Sequence, residues 1–291
     1  MNCLRKEEYR QMDDLTFRTM TPSDIDAGLR LTRAAHWNQL RRDWEMFLER
    51  SPEKCFVAQK GEEVIGTAAT IRYQECFSWI GMVLVDPAER GRGIGKQLFQ
   101  QAVEALAGDR CIRLDATPAG EPLYLKFDFR KESSIRRMEA EAPGFDRASV
   151  ARPIGEDDLP VISRLDSEAF GADRSFLLRW LWEGAPEYAW AVEGSRGIEG
   201  YVLGRHGFNF EQLGPLLARS NNVARALVFS GIRATAGKRV IIDARDDPGW
   251  LSSLSALGFR EQRPFIRMYR GEEARPARPE AQWAFLGPEF G

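Results

Sequence analysis

The stretch "VLVDPAERGRGIGKQLFQ", Val83 to Gln100, runs from an apolar strand-like segment through three glycines into an amphipathic helix-like segment. A strand, a glycine-rich turn and a helix start aim backbone N–H groups and the positive end of a helix dipole at one point, where an anion is stabilised. Gly91, Gly93 and Gly95 carry no Cβ, so a pyrophosphate can approach the amides of Arg92 to Lys96 closely, and Arg90 and Lys96 add charge. The spacing is GxGxG. It matches neither the GxGxxG of a dinucleotide fold nor a Walker loop, because Lys96 is followed by Gln97. One "RGRG" at a helix start in a nearly neutral chain is weak support for RNA binding. A glycine-rich turn that binds nothing stays open as the plain alternative.

Working outward, "LTFRTM" reads as a strand and "TPSDIDAGLRLTRAA" and "NQLRRDWEMFLER" as helices. "CFVAQ", "EVIGTAATIRY" and "FSWIGMVLV" read as three strands. A helix from Ile94 to about Leu106, a strand "CIRLDAT", a short helix around "EPLYLKF" and a strand "SIRRMEAEA" complete the unit. After the linker-like "EAPGFDRAS" the order begins again. "IRLDA" matches "VIIDA" and "FDFRKE" matches "LGFREQ", so the chain reads as one fold used twice. The expected division is a polar leader over 1–14, a first domain over 15–143, a second over 144–272 and a tail over 273–291. The class is α+β in three layers, each domain a mixed, mostly antiparallel sheet flanked by helices.

A chain of 291 residues exceeds the usual domain of ~100–150, which supports two domains. With 43% hydrophobic and 29% charged residues and a net charge of -2, it is an ordinary globular protein with no global pull toward nucleic acid or membrane. The opening "MNCLRKEEYRQMDD" lacks the apolar core of a secretory signal, and the expected location is cytoplasmic. Four scattered cysteines (Cys3, Cys55, Cys76, Cys111) read as reduced thiols, most of them in apolar runs. With only two histidines, a metal centre or a Ser-His-Asp site is poorly supplied, and no metal is expected.

"VLVDPAERGRGIGKQL" resembles the acyl-CoA signature (Q/R)xxGx(G/A) of the GNAT N-acetyltransferase superfamily, with Arg90, Gly93 and Gly95 at its fixed positions. "LDATPAGEPLYLKFDF" is similar to that family's fifth strand and fourth helix, with Tyr124 in the place of its tyrosine and Asp128 where glycine is usual. The second half resembles the second domain of tandem GNAT proteins. The resemblance implies acetyl-CoA in a splay between the fourth and fifth strands. Pantetheine would pair with Val83, Leu84 and Val85, the pyrophosphate would rest on Arg90, Gly91, Arg92, Gly93, Ile94, Gly95 and Lys96, and Thr117 would lie near the pantetheine arm. It implies Tyr124 as the acid that protonates the leaving thiolate. The activity it implies is acetyl transfer to a primary amine of a small molecule. A different acyl group, a hydroxyl acceptor, or a CoA-dependent binding protein without turnover are the alternatives, and a homodimer is left open.

Aligned on the first repeat, the second places Asn222 opposite Gly93 and Leu254 or a neighbour opposite Tyr124, an eroded phosphate loop without a proton donor. On the acceptor side, His36, Trp37, Asn38, Gln39 and Asp43 are candidates, although Trp37, Leu40, Trp44, Phe47 and Leu48 recur at helical spacing and read equally as core. The place of the family's basic glutamate falls on Trp79, which leaves Glu75, His36, Asp43 or water to remove the proton.

Overall fold

The computed structural model describes residues 14–141, 150–235, 237–273 and 276–291. The leader except Asp14, and most of the linker, lie outside the described residues. Thirteen strands form one sheet in the order β1-β2-β3-β4-β5-β12-β6-β11-β13-β10-β9-β8-β7. In the first half these are β1 (Leu15–Thr19), β2 (Phe56–Lys60), β3 (Glu63–Tyr73), β4 (Phe77–Val85), β5 (Cys111–Ala116) and β6 (Arg130–Glu141). In the second they are β7 (Arg152–Pro153), β8 (Trp190–Gly194), β9 (Gly197–Arg205), β10 (Glu211–Ala218), β11 (Arg239–Arg245), β12 (Arg260–Gly271) and β13 (Gln282–Phe285). The helices α1 (Ile25–Ala34), α2 (Arg41–Arg50), α3 (Ile94–Ala105) and α4 (Glu121–Leu125) are repeated as α5 (Leu159–Phe170), α6 (Ser175–Gly184), α7 (Asn221–Ala234) and α8 (Pro248–Ala256).

The two halves exchange their last long strands. β12 of the second half lies antiparallel between β5 and β6, while β6 of the first half pairs with β11 of the second. The expected boundaries near residues 143 and 272 therefore do not divide the sheet, because each half is closed by a strand of the other. Equivalent ion pairs fasten the exchange. Arg137 on β6 meets Asp243 on β11 at 2.7 and 2.8 Å, and Arg267 on β12 meets Asp115 on β5 at 2.9 Å through both oxygens. All four side chains are almost wholly buried, where removing one partner of such a pair costs about 3–5 kcal/mol. The aspartates are those of the matched "IRLDA" and "VIIDA".

Successive residues of a strand face opposite sides, and Val64 and Ile65 of β3 accordingly enter different cores. One core is shared by α1, α2, α5 and α6 of both halves, a second lies under α3, and a third under α7 and α8. Among the described residues no helix is long and apolar enough to cross a membrane. Of the cysteines, Cys55 and Cys111 are buried thiols, whereas Cys76 is exposed because it sits on the tight turn between β3 and β4.

The segment expected to be a simple tail is structural. Its strand β13 lies antiparallel to both β10 and β11, which otherwise touch only at Glu211–Val240 and Gln212–Ile241. The remaining residues thread into the first half: Tyr73 donates from its hydroxyl to the Phe290 carbonyl at 2.6 Å, Trp79 donates to the Pro288 carbonyl at 2.9 Å, and Phe290 stacks on Phe47.

Candidate active site

β4 and β5 are parallel neighbours only at Ser78–Ile112 and Trp79–Arg113, and then diverge. In β4 the pairing with β3 also slips between Gly81 and Leu84, and Met82 takes a left-handed backbone with φ of 54°. This bulge turns the strand and leaves the edge of Val83 to Val85 without a partner strand on the β5 side. The cleft so formed belongs to a cavity of about 740 Å³ lined by both halves.

At one end of the cavity lies the glycine turn. Gly91 and Gly93 have φ of 81° and 82°, which disfavours any side chain there, and a Cβ on either would meet no atom within 4 Å. The space above the backbone is open. α3 begins at Ile94 with no side chain capping it and no acidic residue in its first turn, so its positive end is unopposed. Val83, Leu84, Val85, Arg90, Gly91, Gly93, Ile94, Gly95, Lys96, Thr117 and Tyr124 all line the cavity. Arg92 is not in that lining and forms an ion pair with Glu89.

Tyr124 is held by α4 against Phe99, ring centroids 4.7 Å apart. Among the described residues no group hydrogen-bonds its hydroxyl. Burial pushes its phenol up to about 12, so it stays protonated at neutral pH. The turn after it survives the loss of glycine, since Asp128 adopts φ of 62°, the left-handed conformation that a short polar side chain tolerates, as Gly258 does at 90° in the second repeat.

The acceptor side is rearranged relative to expectation. His36, at φ of 56° where α1 ends, Trp37, Asn38 and Gln39 line the cavity. The Asn38 amide is nevertheless spent on the other half: it donates to the Phe210 carbonyl at 3.0 Å and accepts from the amides of Asn209 and Phe210. Asp43 is not a lining residue. It accepts the amide of Leu40 at the start of α2 and pairs with Arg205, and burial, more than that arginine offsets, pushes its carboxyl up. Glu75 is on the exposed β3–β4 turn, outside the cavity, and Trp79 is fully buried with its N–H committed to Pro288. Neither lines the cavity as the sequence suggested, because a hairpin turn carries the first away and the threaded segment covers the second.

Sequence reasoning missed the far wall, built by Arg137, Arg205, Gln212, Arg263, Phe265, Pro288 and Glu289. Arg205 pairs with both Asp43 and Glu289, and Gln39 donates to Glu289 at 2.8 Å. Burial works against the ionised Glu289, but Arg205 and Gln39 outweigh it and hold the carboxyl below its ordinary range. A Cβ on Gly81 would lie 2.8 Å from the Glu289 carbonyl, so a bare residue on β4 is what admits this segment to the wall.

Comparison with known proteins agrees with the geometry. Residues 17–129 match the family model described as "Acetyltransferase (GNAT) family", and residues 162–284 match "Acetyltransferase (GNAT) domain". This chain belongs to the GNAT acetyltransferase family. As a member it is an acyl-transferring enzyme of the class that uses acyl-CoA as donor, and it carries two GNAT domains. It is 25% identical over 278 residues, 92% of each chain, to a holothin acyltransferase of Pseudoalteromonas sp. (strain SANK 73390). To the uncharacterized N-acetyltransferase YitH of Bacillus subtilis (strain 168) it is 29% identical over 207 residues, 66% of this chain and 69% of that one. The fold is shared with a solved structure from Pyrococcus horikoshii described as an acetyltransferase, at TM-score 0.79 and 24% identity over 96% of both chains. It is shared also with a tandem GNAT protein from the clavulanic acid biosynthesis pathway, at TM-score 0.61 and 15% identity over 90% of this chain and 99% of that one.

Proposed function

We propose that this chain transfers the acetyl group of acetyl-CoA to a primary amine of a small molecule, and that the reaction runs in the first half. The observation that carries this reading is a single cavity joining the open glycine turn, the free edge of β4 and the Tyr124 phenol. The residues fit an acyl-CoA. The bare amides and the unopposed start of α3 suit a pyrophosphate, with Arg90 and Lys96 adding charge. The unpaired edge of Val83 to Val85 suits the amide groups of pantetheine, which would extend the sheet as a strand does.

The chemistry is direct aminolysis. The amine nitrogen forms a bond to the acyl carbon, the C–S bond breaks, and the sulfur takes its proton from Tyr124, which burial keeps in the acid form. The proton lost by the amine passes through solvent in the cavity to the Tyr124 phenolate and restores the acid, so amide and thiol are the only products. Positioning supplies much of the acceleration, since holding two reactants together removes most of the entropic cost of meeting. The name of the holothin acyltransferase supports acyl transfer as the reaction.

The test is thiol release from acetyl-CoA across a library of primary amines, with propionyl- and longer acyl-CoA and matched alcohols beside them. Amine-dependent release with acetyl-CoA preferred is the expected result. Tight acetyl-CoA binding with no release on any acceptor would replace the transferase by a CoA-responsive binding protein.

A further inference from the structure

The arginines of the far wall are of two kinds. Arg137 and Arg267 stand at equivalent places in the repeats, within "SIRRM" and "FIRMY", and each is neutralised by its aspartate across the exchanged strands. They belong to the scaffold. Arg263 does not, because the equivalent place in the first repeat holds Ser133, four residues before Arg137 as Arg263 is four before Arg267.

Arg263 stands opposite Arg137 across the β12–β6 ladder, just after a slip in register at Gln262. Like charges directly opposite one another weaken a sheet. Asp243 is committed to Arg137 and Gln212, and Asp43 to Arg205. Glu289 meets Arg205 and Gln39 through one oxygen and keeps the other buried without a partner, but neither it nor Asp243 pairs with Arg263, although both favour its charged form. Among the described residues Arg263 makes no ion pair and no hydrogen bond, and its Nε is buried without a partner. Its guanidinium lies 5.0 Å from the centre of the Phe265 ring. Burial first, and Arg137 second, pull its pKa down, as expected of a cation short of an anion. The residue lines the same cavity as Tyr124 and the glycine turn.

We infer that Arg263 anchors a carboxylate of the acceptor, so that the substrate is an amine of the amino-acid class. The inference rests on the transferase reading above. A guanidinium fork takes a carboxylate by two parallel hydrogen bonds, and one unneutralised cation matches one negative charge. A phosphate dianion would leave one charge uncompensated at Arg263, since Arg90, Lys96 and the helix start at Ile94 belong to the glycine-turn end of the cavity. With its carboxylate on Arg263, the acceptor presents its amine toward the bulge of β4, where the nitrogen bonds to the acyl carbon as described.

The test uses the intact protein with the twenty standard amino acids, their carboxamides, and the simple amines lacking the carboxylate. It also uses direct binding of N-acetyl amino acids and their amides by calorimetry. The wild type is expected to favour the best acids over their amides by about 10- to 100-fold in kcat/KM and in product affinity, the range of a charge-assisted hydrogen-bonded pair. Arg263→Gln should erase that preference while acetyl-CoA affinity, which reports an intact fold, stays put; Arg263→Lys should restore part of it. Equal use of acids and amides by the wild type, or a preference that survives in Arg263→Gln, overturns the assignment even with the transferase standing. Selective, Arg263-dependent binding of N-acetyl acids without turnover of any amine sustains the anion site and sinks the transferase. Reduced acetyl-CoA affinity in Arg263→Gln would instead assign the residue to the donor.

Discussion

The two halves carry the same cleft and treat it in opposite ways. In the first, β4 and β5 part after two residue pairs and the gap is open, floored by the bare glycine turn. In the second, β10 and β11 part just as early, but β13 lies in the gap and bonds to both. The helix behind each gap follows suit. α3 starts without a cap, while α7 starts at Ser220, whose hydroxyl accepts the amide of Val223, and Ser253 donates to Asn221 in its first turn. A strand of this chain sits where the first half leaves the edge of its sheet open. The fold thus uses one geometry either to leave an edge open or to hold its own segment, and the difference is the loop before the helix and the strand Gln282–Phe285.

If that is so, breaking the filled cleft should cost stability and spare the open one. Trp283 on β13 donates to the Ala218 carbonyl at 2.8 Å and packs edge-on against Trp250. Trp283→Ala should therefore lower unfolding free energy by about 3–5 kcal/mol. Denaturant titration reads this, and acetyl-CoA affinity of the folded fraction should not move. An unchanged midpoint would mean that β13 is an ornament on the second sheet.

The next effect belongs to the open cleft alone. Tyr124→Phe removes the hydroxyl and keeps the ring against Phe99, so kcat should fall by about 10²-fold or more, the usual contribution of a placed acid, with acetyl-CoA affinity retained. In the wild type, kcat should show no falling limb near pH ~10, where an ordinary phenol ionises, because burial has moved this one to about 12. A limb there, or a Phe variant with full kcat under rate-limiting chemistry, assigns the proton to another group.

A smaller pair of effects sharpens the contrast at the helix starts. Gly93→Asp brings a negative charge and a Cβ to a left-handed position at the cradle, and acetyl-CoA affinity should drop by roughly 100-fold, the scale of a lost charge-assisted contact. Asn222→Asp, at the matching place in the second half, should change affinity by less than about twofold. Equal losses in both would show that the second cleft also takes ligand.

How much of this was legible follows from the kind of signal each part leaves. The glycine turn and the helix at Ile94 were readable because local backbone needs dictate residue type there, whereas Tyr124 was singled out by the resemblance alone. The strand exchange was not, because β6 and β12 carry nearly the same pattern and a ladder of backbone hydrogen bonds has no sequence of its own. β13 is four residues long and follows an arginine- and proline-bearing stretch, too short for an alternation to show. Asp43 and Trp79 were drawn toward the acceptor by position in the resemblance, but their partners, Arg205 and Pro288, lie 162 and 209 residues away. Arg263 gave no signal among the 41 basic residues, and only its register opposite Arg137 singles it out.

The central claim is that one cleft is open to donor and the other is filled by the chain itself. Isothermal titration of the wild-type protein with acetyl-CoA tests it most directly. One site per chain is the predicted result, lost in Gly93→Asp and kept in Asn222→Asp. Two sites of comparable affinity, or one site that survives in Gly93→Asp and disappears in Asn222→Asp, would contradict it.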